Sequence, residues 1–271
     1  MKFSLITATY GRTAEVRMLL ESLTRQTYKD FELILVDQNP HFELRDLTEE
    51  YASRIDIRYV RSEVKGLSYN RNIGLDLCQG QVVAFPDDDC FYDDDVLERV
   101  VKVFRQEKGT VLVATPVKDV TGDAVWRTFS KERISRRDTL KCCCSINIFL
   151  RITSSRFDVR LGVGSRWGSG EESDYLWQVM KPGDRGTFLR DVYVHHPYIA
   201  DVFSNLPKAY AYGLGWGALF KKEVVRGYGG AFSLYLYYLL RSLGGCLLSR
   251  HRAYYWQTLR GRVAGYCSFK S

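Results

Sequence analysis

The sequence predicts an α/β protein: a Rossmann-like, mostly parallel mixed sheet flanked by helices, followed by a C-terminal helical appendage. Three observations predict it. Short apolar, β-branched runs alternate with stretches whose apolar residues recur at helical spacing, the pattern of strands joined by helical crossovers. Several of those runs end in acids or glycines, as strands do where an open α/β sheet meets its ligands. Charge then divides the chain: residues 1–204 carry 29 Lys/Arg against 31 Asp/Glu, whereas 205–271 carry 10 Lys/Arg and one acid, Glu223. The boundaries read from this are a domain over 1–204 and a basic, aromatic tail over 205–271. With 271 residues, 45% of them hydrophobic, the chain can bury one substantial core.

The elements follow in order. Residues 2–8 form a buried strand, and Thr13 is placed to cap a helix to about Gln26, with Val16, Leu19, Leu20 and Leu23 on one face. Phe31–Asp37 is a second strand ending in an acid, then come a helix over 43–52 and a strand over Ile55–Val60. Lys65–Gly74 is a polar turn opening a helix to about Cys78. The run 81–85 is a strand that delivers the acids of Pro86-Asp87-Asp88-Asp89. Asp93, Asp94 and Asp95 cap and offset the dipole of a helix to Gln106. Thr110–Val117 is a buried strand, and Thr121-Gly122-Asp123 a hairpin tip leading into 124–130. Residues 131–141 read as a basic loop and 145–151 as a strand. A glycine-rich stretch then reaches Glu171-Glu172-Ser173-Asp174, which opens a helix to about Met180. Phe188–Val194 is a last strand, ending at His195-His196.

The chemistry centres on the acid run. Three adjacent carboxylates repel one another, so a fold keeps them together only in water or around a cation. Hard ions such as Mg2+ or Mn2+ take oxygen ligands and leave room for phosphates. Asp37, the Asp87–Asp89 run and the acids after Gly170 all fall at ligand-facing ends of elements. A metal beside a diphosphate stabilises the charge of a leaving phosphate. A separate carboxylate can take the proton of an attacking hydroxyl. Sugar transfer through an oxocarbenium-like state needs both parts. Arg71, early in its helix, suits a phosphate or a base edge.

The ordered set Ser4–Tyr10, Leu35-Val36-Asp37, Arg71-Asn72-Ile73-Gly74, Phe85–Asp89 and Gly170–Asp174 resembles the family-2 inverting glycosyltransferases, which have the A-type nucleotide-sugar-binding fold. The resemblance covers about residues 2–197. It implies that Thr7 and Thr9 line a nucleobase pocket, that Asp37 accepts from a uracil-type imide nitrogen, and that Arg71 lies near base and phosphates. It makes Asp87 and Asp89 a DxD pair, with Asp88 or Asp87 toward the ribose and Asp89 the direct metal ligand. The catalytic base falls on Glu172, where the family pattern has Asp, with Glu171 as competitor; Gly170 and Asp174 flank the substrate site. His196 is a candidate third metal ligand, although packing or capping roles compete for both His195 and His196. The reaction implied is transfer from a UDP- or dTDP-sugar to a hydroxyl of a polyprenyl-linked glycan in bacterial surface-polysaccharide synthesis. Mg2+ or Mn2+ is the implied cofactor.

Two other classes compete. A sugar-nucleotide pyrophosphorylase also joins an α/β sheet to a divalent metal, but it carries a glycine-rich basic loop where this chain has only Ala8-Thr9-Tyr10-Gly11-Arg12. A non-catalytic glycan-binding or scaffold subunit at a membrane would not need Glu172. Trp167 and Trp177 suit either a sugar pocket or the core.

The cysteines, three of them consecutive at 142–144, form no disulfide framework and favour packing in a reducing cytoplasm. No signal peptide is read at the N-terminus. In the tail, Ala231–Leu240 is apolar but Arg241 interrupts it, and neither half reaches the ~20 apolar residues of a spanning helix. Apolar and aromatic stretches bordered by Lys/Arg suit an element lying on an anionic membrane surface. The expected location is therefore peripheral, at the cytoplasmic face of the inner membrane. No nucleic-acid recognition motif accompanies the charge.

Overall fold

A computed structural model describes residues 1–40, 43–122, 124–198 and 201–270. In chain order the elements are β1 Phe3–Thr9, α1 Ala14–Arg25, β2 Phe31–Asp37, α2 Glu43–Tyr51, β3 Asp56–Arg61, α3 Leu67–Leu77, β4 Val82–Ala84, β5 Phe91–Tyr92, α4 Val96–Gln106, β6 Thr110–Ala114 and β7 Val117–Lys118. They continue with β8 Val125–Arg127, β9 Arg133–Ile134, α5 Thr139–Cys142, β10 Ile148–Arg151, α6 Glu171–Val179, β11 Arg185–Phe188, β12 Val194–His195, α7 Leu206–Val225, α8 Ala231–Leu248 and α9 Arg252–Ser268. The chain forms two compact units: Met1–Lys65, Tyr69–Arg156 and Tyr175–Tyr198 make the first; Gly66–Ser68, Phe157–Asp174 and Ile199–Ser271 make the second.

The first unit holds an eight-stranded sheet in the order β3-β2-β1-β4-β10-β6-β11-β9. β3, β2, β1 and β4 run parallel, β10 runs antiparallel to both its neighbours, and β6 and β11 are parallel. β1 and β2 are buried on both faces; on one of them α1 (Val16, Leu19, Leu20, Leu23) and α4 (Val96, Leu97, Val100, Val101, Phe104) share a core with Phe3, Leu5, Leu33 and Leu35. Glu32, a buried acid within β2, accepts from the Ser4 hydroxyl at 2.6 Å and from the Gln79 amide at 2.7 Å, so its desolvation is met by hydrogen bonds. Gly74 lets α3 close on β1, since a Cβ there would stand 2.3 Å from Ile6 Cγ2. A second, four-stranded sheet runs β5-β12-β7-β8.

The expected continuous strand Thr110–Val117 divides at Pro116, which has no N–H to give a ladder. Phe188–Val194 also divides, with β11 ending at Phe188 and β12 starting at Val194. Both chains leave the large sheet together and pair again in the small one, Val194 against Val117. Residues 131–141, read as loop, hold β9 and α5. Asp123 of the expected hairpin tip lies outside the described residues. Thr13 and Asp95 occupy N-cap positions, but neither side chain makes the capping bond. Asp93 and Asp94 are also spent elsewhere: Asp94 pairs with Arg25, and Asp93 accepts from the Tyr193 amide at 3.1 Å and lies 2.7 Å from His195 Nε2.

The second unit is helical. Asn205 caps α7, accepting from the Lys208 amide at 3.0 Å, with Pro207 in the first turn. α7 and α9 meet backbone to backbone through two small-residue pairs, Gly213/Gly217 and Gly261/Gly265. A Cβ at Gly217 would stand 2.1 Å from Arg262 O, and one at Gly265 would stand 2.0 Å from Leu214 O. Arg241, which interrupts the apolar run, does not end the helix: α8 runs from Ala231 to Leu248. Arg241 is exposed, so its charge stays in water and costs the helix nothing. Among the described residues α8 is the one helix long and apolar enough, by length and composition, to cross a membrane.

Candidate active site

The parallel strands put their carboxyl ends on one rim of the first unit, and the rim carries the polar residues. Asp37 ends β2, fully buried, with Oδ2 accepting from the Tyr59 hydroxyl at 2.7 Å and Oδ1 from the Asn39 amide at 2.8 Å. Burial, and then the bond to Asp37, pushes the Tyr59 phenol up to about 12. Thr9 ends β1 in register with Asp37, and its hydroxyl donates to Asp88 Oδ2 at 2.8 Å; the Thr7 hydroxyl donates to the Pro86 carbonyl at 3.0 Å. Both threonines thus tie the end of β1 to the acidic loop that follows β4.

In that loop the three aspartates differ. Asp87 Oδ1 accepts from buried Arg71 at 2.7 Å, with the guanidinium 5.7 Å over the Phe85 ring. Asp88 accepts from Arg12 at 2.8 Å as well as from Thr9, yet burial raises its carboxyl above the ordinary value. Asp89 pairs with Arg12 and lies 3.3 Å from His196 Nε2. Burial works to raise its carboxyl, but His196 and Arg12 outweigh that and hold it below the ordinary value. His196 shows the reciprocal shift: burial lowers the imidazole, and Asp89 more than restores it, leaving it raised.

The small sheet brings His196 here. β5 follows the acidic loop directly, β12 pairs with β5, and the His196 amide extends the ladder by donating to Lys118 O at 3.0 Å. Asp87, Asp89 and His196 thereby offer ligand atoms all within 4.8 Å of one another. Two carboxylates and one imidazole suit a divalent ion of the Mg2+, Mn2+ or later first-row kind. His195 points to packing instead, stacked on Phe91 at 4.4 Å and held by Asp93.

The Gly170–Asp174 stretch belongs to the second unit, where it opens α6. Gly170 takes a left-handed φ of +88°, and a Cβ there would stand 3.1 Å from Gly215 O. Glu171 is buried and Glu172 is partly exposed. Asp174, expected near substrate, is fully buried with both oxygens in ion pairs: Lys222 Nζ at 2.8 Å on Oδ2 and Arg226 at 2.8 Å on Oδ1. Lys222 also donates to Asp158 at 2.6 Å, and Arg226 to Glu223 at 2.6 Å. Trp167 packs edge-on to Phe269 at 5.0 Å in this unit. In the first unit Trp177 is buried and donates to Arg136 O at 3.0 Å, so it lies in the core.

The family model of glycosyl transferase family 2 matches residues 4–157, over half of the chain. The chain belongs to that family. Its family-2 relatives include an uncharacterized glycosyltransferase of Haemophilus influenzae, 33% identical over 116 residues (42% of this chain, 38% of that one). A glucosyl-dolichyl phosphate glucuronosyltransferase of Haloferax volcanii is 30% identical over 120 residues, covering 43% of this chain and 38% of that protein. The poly(ribitol-phosphate) beta-N-acetylglucosaminyltransferase TarS of Staphylococcus aureus is 27% identical over 136 residues, covering 49% and 24%. The chain therefore spans well under half the length of these curated relatives.

Among solved structures, TarS 1–349 with UDP-GlcNAc superposes with a TM-score of 0.63 at 18% identity, covering 92% of this chain and 76% of that one. The mannosyltransferase PcManGT of Pyrobaculum calidifontis, with GDP-Man and Mn2+, gives 0.64 at 14%, covering 97% and 85%. These likenesses establish the fold.

Sequence reasoning missed Arg12, which bridges Asp88 and Asp89, and Tyr59, which holds Asp37. A cation just past the first strand of a family-2 chain was the available signal for Arg12. None existed for Tyr59, whose partner stands on a neighbouring strand.

Proposed function

We propose that this chain is a metal-dependent inverting glycosyltransferase that moves a sugar from a UDP- or dTDP-sugar to a hydroxyl of a lipid-linked glycan in bacterial surface-polysaccharide synthesis. The observation that carries the reading is the meeting of Asp87, Asp89 and His196 on the sheet rim that also holds Asp37. Residues 1–204 would carry the catalytic machinery. The TarS relative, seen with UDP-GlcNAc, supports a uridine donor, and the Haloferax relative, named for a dolichyl-phosphate-linked acceptor, supports a lipid-linked one.

Asp87, Asp89 and His196 would hold Mg2+ or Mn2+; Asp89, kept ionised by its neighbours, fits that role. Held by these residues, such an ion would supply positive charge for a departing diphosphate. Arg71, fixed by Asp87 and Phe85, adds positive charge at the same loop. Asp37 selects the base: a carboxylate offers about four acceptor sites, and Tyr59 and Asn39 use two, leaving capacity for an imide N–H. Thr7 and Thr9 set the loop rather than touch the base. Arg12 serves as the resident counter-ion of Asp88 and Asp89.

Glu172 removes the proton of the acceptor hydroxyl as that oxygen attacks the anomeric carbon, opposite the leaving diphosphate. Its partial exposure favours it over buried Glu171. Gly170 and Asp174 position the start of α6. The helices of 205–271 would lie against an anionic membrane at the cytoplasmic face, giving access to a polyprenyl-linked acceptor.

Thermal denaturation with nucleotides tests the donor and metal assignments together. UDP or dTDP with Mn2+ should raise Tm, and GDP or CDP should not. Asp89→Ala should abolish both this shift and nucleotide release from the donor, with an unchanged circular dichroism spectrum. Transfer at the wild-type rate by that variant would refute the metal assignment.

A further inference from the structure

α8 is folded inside out for a helix in water. Its outward residues Phe232, Leu236, Leu240, Leu243 and Leu247 recur at helical spacing and form one stripe, with Leu240 67% and Leu247 64% exposed. Its inward residues are the polar-tipped ones: Tyr235, Tyr238 and Ser242 are each less than a tenth exposed. Tyr235 stacks on Tyr266 of α9 at 4.2 Å, and Arg262 of α9 donates to Tyr238 O at 2.6 Å and to the Ser242 hydroxyl. A surface helix ordinarily turns its apolar stripe to the core, and a contiguous exposed stripe marks an interaction face.

We propose that α8 lies in the plane of an anionic membrane and inserts this stripe into one leaflet without crossing it. Three observations choose that occupant. Exposed Arg241 and Arg250 flank the stripe at mid-helix and beyond its end, where long basic side chains reach lipid phosphates while their stems stay in the apolar layer. The segment 205–271 has a single acid, Glu223, and that acid is buried and paired with Arg226, so no exposed acid among these residues opposes an anionic surface. The same excess of positive charge repels a second copy of the same face.

Crossing is opposed by the inner face. Lifting α8 away from α9 would leave Arg262, Ser242 and the Tyr235 hydroxyl, which donates to Arg262 O at 3.5 Å, in hydrocarbon without these partners. At 1.5 Å per residue the helix is roughly 27 Å long, which in the plane lays its whole stripe at one depth. The inference rests on the membrane half of the proposed function and makes it specific to one helix face. It is independent of the nucleotide site.

The test is sedimentation of the full chain with vesicles of phosphatidylcholine alone and of phosphatidylcholine mixed equally with phosphatidylglycerol. Binding should be confined largely to the mixed vesicles and should weaken with salt. Leu240→Glu combined with Leu243→Glu should lower partitioning ~100-fold or more, from the lost apolar insertion of two leucines. The circular dichroism spectrum and thermal melt of the same variant report folding: if both are retained while vesicle binding falls, the stripe is the contact. A variant that folds and still binds overturns the proposal. So does wild-type protein that ignores both vesicles, whether it remains monomeric or dimerises through α8.

Depth settles orientation. Bimane attached at Leu236→Cys, Leu243→Cys or Leu247→Cys, with the solvent-reachable cysteines changed to serine, should be quenched equally by shallow nitroxide lipids. Depth that increases steadily along the helix would overturn the in-plane placement. Loss of the UDP–Mn2+ shift in wild-type protein, with vesicle binding intact, would refute the donor reading and leave this one standing.

Discussion

Two clusters of carboxylates, one in each unit, show how environment sorts identical side chains into different work. In the first unit Asp87, Asp88 and Asp89 share Arg71, Arg12 and His196; Arg12 is substantially exposed and serves two acids at once. In the second, Asp158, Asp174 and Glu223 interlock with Lys222 and Arg226, and Asp174 and Glu223 are buried with direct cationic partners. The first cluster keeps Asp87 partly exposed beside Arg71 and couples Asp89 to Arg12 and a titratable ring, so it can exchange partners for an incoming ion. The second has ion pairs on both oxygens of Asp174, so an exchange there would strand a buried charge. Acid content alone does not tell a ligand site from a clamp; the exposure of the acids does, with the Asp87 side chain 32% exposed and that of Asp174 wholly buried.

The comparison can be broken at several points, beginning with the largest effect. Glu172→Gln should lower kcat by ~10²–10⁴-fold with little change in Tm, measured as nucleotide release in the presence of acceptor. An unchanged kcat would move the base to Glu171 or remove the enzymatic reading. Lys222→Met should behave oppositely. It leaves Asp158 and Asp174 facing each other's charge in the interior, and should cost about 3–5 kcal/mol in denaturant unfolding. A loss below about 1 kcal/mol would mean that the second cluster is as exchangeable as the first.

A third test uses acid. Arg160 and Lys222 outweigh burial and hold the Asp158 carboxyl well below the usual carboxylate range. Its folded value is therefore depressed: its contribution is present above the ordinary aspartate value and is lost as pH falls below about 4 toward the folded value. Asp158→Asn should flatten the decline of Tm with pH in that window and lower Tm at neutral pH. The smallest effect is expected at Arg12→Ala: the guanidinium is partly exposed but Asp88 and Asp89 are mostly buried, so its removal should lower stability by about 1–3 kcal/mol. The same change should tighten Mn2+ binding, read by titration calorimetry, by freeing Asp89 from its resident partner.

Much of this was legible in the chain, and the illegible part has a common cause. The strand ends, the acidic loop and the opening of α6 are local: apolar runs, a proline and glycines mark them. The transfer of β7 and β12 into a second sheet depends on two segments leaving the first sheet together, and nothing within either segment announces it. Arg12 with Asp89, Tyr59 with Asp37, and Lys222 with Asp158 are pairings across elements, invisible to spacing. Asp93–Asp95 read as caps because acids before a helix usually are, yet His195 and the Tyr193 backbone claim Asp93 first. Arg241 interrupts an apolar run, but such a charge is costly only when it faces inward, and direction is a tertiary property that left it exposed.

The glycine crossing of α7 and α9 carries a further consequence. With main chain resting on main chain at Gly213, Gly217, Gly261 and Gly265, there are no rotamers between the helices to absorb a shift. The pair must melt as one beam or stay whole. Amides along both helices should therefore exchange with deuterium in a single phase, and one alanine at Gly217 should loosen the entire pair rather than its own turn.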